Sequence, residues 1–72
     1  REERKITLYR ALSNLKPAYR QVLWLMYFEE LSAKETALVM KKSVHSIETL
    51  VYRARKSLKL ALEKEGFMDE KL

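Results

Sequence analysis

Cysteine is absent from the chain, and glycine, proline, histidine and tryptophan each occur once. Without a thiol there is no disulfide framework, no thiolate metal ligand and no cysteine nucleophile. A single histidine cannot assemble a zinc site, so neither a metal nor a cofactor is expected. One Gly and one Pro are too few for a β-sandwich, which needs a turn every 8–12 residues or so, and far too few for a flexible linker. The longest apolar run, Val22 to Phe28, is seven residues, against the roughly twenty that span a bilayer. No catalytic constellation remains, and an enzyme is not expected. With 72 residues the chain makes one small domain, in the size range where a single core is only marginally stabilising.

What the chain does have is periodic apolar residues, 47% of the total, and uneven charge. The net charge is +5, with +2 over residues 1–40, +5 over residues 41–59 and −2 over residues 60–72. In the middle segment Lys41, Lys42, Arg53, Arg55, Lys56 and Lys59 face a single acid, Glu48. Such a cluster points to a polyanionic partner. The chain opens on Arg1-Glu2-Glu3-Arg4-Lys5 with no initiator Met and reads as a piece of a longer protein.

Four helices are expected, at about 3–14, 17–29, 32–40 and 44–64, within a domain at 6–66 flanked by an N-terminal extension at 1–5 and a C-terminal tail at 67–72. Ile6, Leu8, Tyr9, Leu12 and Leu15 step mostly by three or four, the mark of one helical stripe. Asn14-Leu15-Lys16 breaks it, and Pro17 suits the first turn of the next helix, where its missing N–H would have no partner. The dense run from Val22 to Phe28 predicts a helix buried on most sides, with Trp24, Tyr27 and Phe28 in the core rather than forming a stacking platform. Ser32 and Glu35 have the capping-box spacing, and Ala33, Ala37, Leu38 and Met40 are expected on the inner face of the third helix. Ser43 can cap the fourth, where Val44, Ile47, Val51, Ala54, Leu58 and Leu62 mark one face. Gly66 is the expected stop.

A short helix, a tight connection and a longer helix with a basic outer face describe a helix-turn-helix within an all-α domain. Here the residues themselves resemble a family. Leu31-Ser32-Ala33-Lys34-Glu35-Thr36-Ala37, then Ser43 to Ile47, then Tyr52-Arg53-Ala54-Arg55-Lys56-Ser57-Leu58 resemble region 4 of bacterial RNA polymerase sigma factors, most nearly the extracytoplasmic-function type. Upstream, Ala11-Leu12-Ser13-Asn14-Leu15-Lys16-Pro17 and Arg20-Gln21-Val22-Leu23 look like the first half of that region. The resemblance covers about 6–65, and its most specific part is Arg53-Ala54-Arg55-Lys56. It implies recognition of the −35 promoter element by the fourth helix, docking on the flap of the polymerase β subunit, an anti-sigma partner in many members, and a cytoplasmic location with no membrane partner. Where the family often has Lys and Arg, this chain has Glu48 and Leu50. Either its target sequence differs, or these two do not face the bases.

On this reading His45, Ser46, Thr49 and Arg53 are the candidates for base edges, and Arg53 can pair bidentately with guanine. Lys34, Lys41, Lys42, Ser43 and Lys56 are the candidates for phosphates, helped by the N-terminus of the fourth helix. The plainer reading of the same residues is a solvated basic face, with His45 a surface residue after a cap and Ser46 and Thr49 exposed fillers. Arg55 points elsewhere and can pair with Glu29 or Glu30, while Tyr9, Tyr19 and Leu12 can mark a docking face for a partner helix. The domain is expected to be monomeric. Two other functions fit the helix order: the DNA-binding output domain of a response-regulator-type activator, whose last helix dimerises, and a module that chiefly docks proteins. The basic run to Lys59 and the long fourth helix favour the sigma reading over a dimer interface there.

Overall fold

The computed structural model describes residues 2–66. These form an all-α domain: α1 (Glu2–Ser13), α2 (Pro17–Leu23) running into a π-helical segment (Trp24–Phe28), α3 (Ala33–Met40) and α4 (Val44–Lys64). The expected tail at 67–72 lies outside the described residues. α1 begins at Glu2, so most of the stretch expected as an extension belongs to the helix.

The turn after α1 is closed by N–H donation from Asn14 to the Ala11 carbonyl (3.2 Å) and from Leu15 to the Leu12 carbonyl (3.1 Å). Arg20 then reaches back from α2, its Nη1 donating to the Ser13 and Leu15 carbonyls at 3.3 and 3.2 Å. A guanidinium on carbonyls that have no intrahelical donor both satisfies them and offsets the negative end of the α1 dipole. Leu15, placed by its sequence context in a break, is buried in the core as a result. Pro17 occupies the start of α2, where no side chain caps the helix.

Beyond Leu23 the helix widens. The Glu29 N–H donates to the Trp24 carbonyl at 3.0 Å, five residues back, and the Leu31 N–H to the Leu25 carbonyl at 2.9 Å. This π turn interrupts the single helix expected at 17–29, and it corrects a second expectation. Trp24, Tyr27 and Phe28 are all exposed, by 41%, 54% and 41%, and Trp24 stacks on Phe28 with centroids 4.5 Å apart. Only Val22 and Leu23 of the apolar run are buried in the core. A domain this small has too few layers to cover a helix on every side, so the run has one inward edge and an aromatic outward one.

The core is built around α4, which packs against α1, α2 and α3. Ile47 and Ala54 on its inner stripe are wholly buried, with Leu12, Leu15, Val22, Leu23 and Ala37 around them. α3 is held at its start by the capping box: Ser32 Oγ accepts from the Glu35 N–H at 3.0 Å, and Glu35 Oε1 accepts from the Ser32 N–H at 2.8 Å. Its inner face consists of Ala33, Thr36, Ala37 and Met40; Leu38, expected there, is 80% exposed. At about 100° per residue the line through Ala33, Ala37 and Met40 puts Thr36 inside and Leu38 outside. A hydroxyl residue had taken the place of the larger apolar one.

Thr36 is fully buried and its Oγ1 has no hydrogen-bond partner among the described residues. A buried hydroxyl left unpaired costs about 1–3 kcal/mol. Thr36→Val keeps the shape and removes the polar atom, so it is expected to raise the unfolding free energy by about 1–2 kcal/mol in urea melts. A lower midpoint would show that the hydroxyl is satisfied in solution.

Candidate nucleic-acid interface

The interface is assembled at the connection between α3 and α4, residues 41–43. Lys41 closes α3 in the left-handed conformation (φ 58°, ψ 47°), and the Lys42 N–H returns to the Ala37 carbonyl at 3.0 Å. Glycine is the usual residue at such a C-terminal turn, since a side chain there costs roughly 1–2 kcal/mol. In this chain the position carries an exposed cation instead. Ser43 starts α4: its Oγ accepts from the Ser46 N–H at 3.0 Å and donates to Ser46 Oγ at 2.9 Å. The Ser43 hydroxyl proton is therefore engaged, which leaves Ser46 the better outward donor of the two.

All four residues expected at base edges share one groove. Lys42, His45, Ser46, Thr49, Leu50 and Arg53 line a shallow concavity of about 270 Å³ along the first three turns of α4. Its flanks are exposed, Thr49 is half-buried, and Leu50, which packs on the core cluster, forms an apolar floor. Glu48 does not line this groove. Five residues separate it from Arg53, about 140° around the helix, which puts it on the flank shared with Arg55. Of the two departures from the family pattern, Leu50 faces the groove and Glu48 stands outside it.

The residues expected at phosphates are only partly brought together. Lys34, Lys42 and Ser43 line a second, wider concavity of about 780 Å³ between the start of α3 and the connection, with Leu38 and Val44 on its walls. The one acid there, Glu35, is committed to the Ser32 N–H. Lys41 lies at the connection but lines neither concavity, and Lys56 sits further along α4, its Nζ 5.4 Å from the Tyr52 ring centroid. That cation–π contact lays the ammonium along the exposed face rather than into the groove.

A third feature was not read from the sequence. Leu8 and Leu12 of α1, Leu23 and Phe28 of the second segment, and Leu58 and Leu62 of α4 line an apolar groove of about 320 Å³. Tyr27 completes it, and Arg55 and Lys59 bring positive charge to its edge. Among the described residues Arg55 makes no ion pair with Glu29 or Glu30, both of which are exposed. Tyr9, Tyr19 and Leu12 do not form one face: Leu12 is in the core, Tyr9 is 50% exposed, and half-buried Tyr19 has the Lys16 ammonium 5.6 Å from its ring centroid. The signal that could have revealed the groove was the excess of large apolar residues over what so small a core can bury.

Two helices joined by three residues, the second presenting a polar and basic groove from its first turns, define a helix-turn-helix domain. The family described as Sigma-70, region 4, matches residues 5–58, and the chain belongs to that family. It is 33% identical over 58 residues to the RNA polymerase sigma factor SigV of Bacillus subtilis (strain 168), covering 81% of this chain and 35% of that protein. It is 39% identical over 59 residues to the ECF RNA polymerase sigma factor SigM of the same organism, covering 82% and 36%. The chain thus spans about a third of the length of the curated relatives it matches. No solved structure matches it.

The left-handed backbone of Lys41 carries a cost in stability. Lys41→Gly is expected to raise the unfolding free energy by about 1 kcal/mol, whereas Lys41→Ala, which keeps a Cβ, is expected to bring no such gain. Chemical denaturation of the two variants side by side checks this.

Proposed function

We propose that this domain recognises the −35 element of bacterial promoters during transcription initiation, with the first turns of α4 in the major groove. The major groove is wide enough to admit a helix, and each base pair shows there a distinct pattern of donors, acceptors and methyl groups. His45, Ser46, Thr49 and Arg53 face base edges, with Arg53 offering the bidentate fork that matches guanine and Leu50 an apolar surface suited to a thymine methyl. Lys34, Lys41, Lys42, Ser43 and Lys56 hold the phosphates, Ser43 through the backbone donors at the start of α4. Glu48 lies on the flank and has no base to read.

The observation that carries this reading is the single groove shared by Lys42, His45, Ser46, Thr49 and Arg53 in a chain of the sigma region 4 family. The family match also weighs against a response-regulator output domain. The domain works as a monomer on an asymmetric site and docks on the flap of the polymerase β subunit through the apolar groove at the far end of α4. No catalytic step is assigned to it.

Titration of fluorescent promoter DNA at several salt concentrations tests the reading. Four to six neutralised phosphates give a slope of about −4 to −5 in log K against log salt. Arg53→Ala is expected to cost about 1–3 kcal/mol and to relax the sequence preference at one base pair. Salt-independent binding, or an Arg53→Ala protein that binds normally, would favour a module that only docks proteins. For the second contact, Tyr27→Asp is expected to weaken capture of the isolated β flap by at least about 1 kcal/mol while leaving the salt slope unchanged.

A further inference from the structure

The groove along the first turns of α4 is polar at its flanks and apolar at its base. Lys42, His45, Ser46 and Arg53 are exposed, while Leu50 is half-buried and packs on the core cluster. The flanking side chains reach outward to a base edge. Leu50 is recessed between them and meets only a group that projects towards it. A base pair shows one apolar group in the major groove, the C5-methyl of thymine, and it stands out from the base edge. None of the residues lining this groove is acidic. A cytosine at the same place would set its N4 amino donor over an aliphatic side chain with no carboxylate to receive it. A donor shut off from water without a partner is costly.

Spacing ties Leu50 to its neighbours. Ser46, Thr49, Leu50 and Arg53 stand at i, i+3, i+4 and i+7, the spacing with which a homeodomain's third helix reads the major groove, and residues three apart on a zinc-finger helix reach successive bases. Ser46 Oγ accepts the Ser43 proton at 2.9 Å, so its own proton is left to donate to an acceptor on a base. Along α4 the groove thus offers a hydroxyl donor, an aliphatic recess and a guanidinium fork. We propose that Leu50 is a specificity-determining residue that reads a pyrimidine C5-methyl on the base pair next to the guanine held by Arg53. The domain then tells thymine from uracil, and 5-methylcytosine from cytosine, and methylation of a cytosine at this step strengthens binding. The inference rests on α4 entering the major groove, and it adds to that reading a response to a covalent mark on the DNA.

Binding of the 72-residue chain to a pool of short duplexes with a randomised centre identifies the preferred site, in which a thymine is expected beside a guanine. On that duplex, replacing this thymine by deoxyuridine is expected to weaken binding about three- to fivefold, the worth of one buried methyl. Cytosine is expected to bind more weakly still. 5-Methylcytosine should recover the same factor over cytosine, because the amino group is common to both. Leu50→Met is expected to keep both ratios. Leu50→Ala, and Leu50→Gln, which is of similar size but polar at its end, are expected to bring both ratios to one. Salt-dependent, sequence-selective binding that ignores the methyl overturns this inference and leaves promoter recognition standing. So does a selected site without thymine beside guanine. A methyl effect that survives in Leu50→Ala and Leu50→Gln overturns it too, since the effect would then come from the shape of the DNA. Binding indifferent to both salt and sequence overturns the two readings together.

Discussion

The burial of Ile47 and Ala54 fixes everything else in this domain. These two α4 residues are wholly excluded from solvent, and around them pack the residues that orient α1, α2 and α3. Ala54 matters for its small size: a larger side chain there would hold the helices apart, and overpacking a dense core is itself destabilising. With the inner stripe of α4 committed to the core, its opposite face is necessarily outward, and the groove from Lys42 to Arg53 exists because of that commitment. In a domain this small the core is also the only source of rigidity, so the placement of the polar side chains depends on it.

Local chemistry sets where α4 begins. The Ser32–Glu35 box starts α3, left-handed Lys41 ends it, and Ser43 starts the next helix within three residues. Each of these devices is short-range and satisfies backbone groups that have no partner within a helix. Arg20 does the same at the end of α1 from a longer distance. The domain therefore spends its few turns on well-capped joints, which is how it manages with a single proline and a single glycine.

Much of this was legible in the sequence. The all-α class, four helices, both serine caps and the inner stripe of α4 follow from spacing, because a 3.6-residue period and a capping box leave marks in one dimension. That His45, Ser46, Thr49 and Arg53 lie together on the face of α4 opposite its apolar stripe was legible for the same reason; the concavity they line came only from the structure. What could not be read was how much apolar surface the other helices would cover. Leu38 and the Trp24–Tyr27–Phe28 group were assigned inward because they are large and apolar, yet geometry gave the inner position of α3 to Thr36 and turned the aromatics outward. The π turn that exposes them depends on bonds to carbonyls five and six residues back, for which a run of apolar residues carries no signature.

The interruption after Leu23 has no counterpart in α4, which runs unbroken from Val44 to Lys64. Both the polar groove near its start and the apolar one near its end are mounted on that single rod, at different bearings around its axis. Two bodies seated in them would be held at a set angle and distance, as though bolted to a common axle. Lengthening the rod by one residue between Arg53 and Leu58 would swing one seat about 100° and move it about 1.5 Å relative to the other. The phase of α4 between its ends is thus a structural parameter in its own right, separate from the identity of any side chain in either groove.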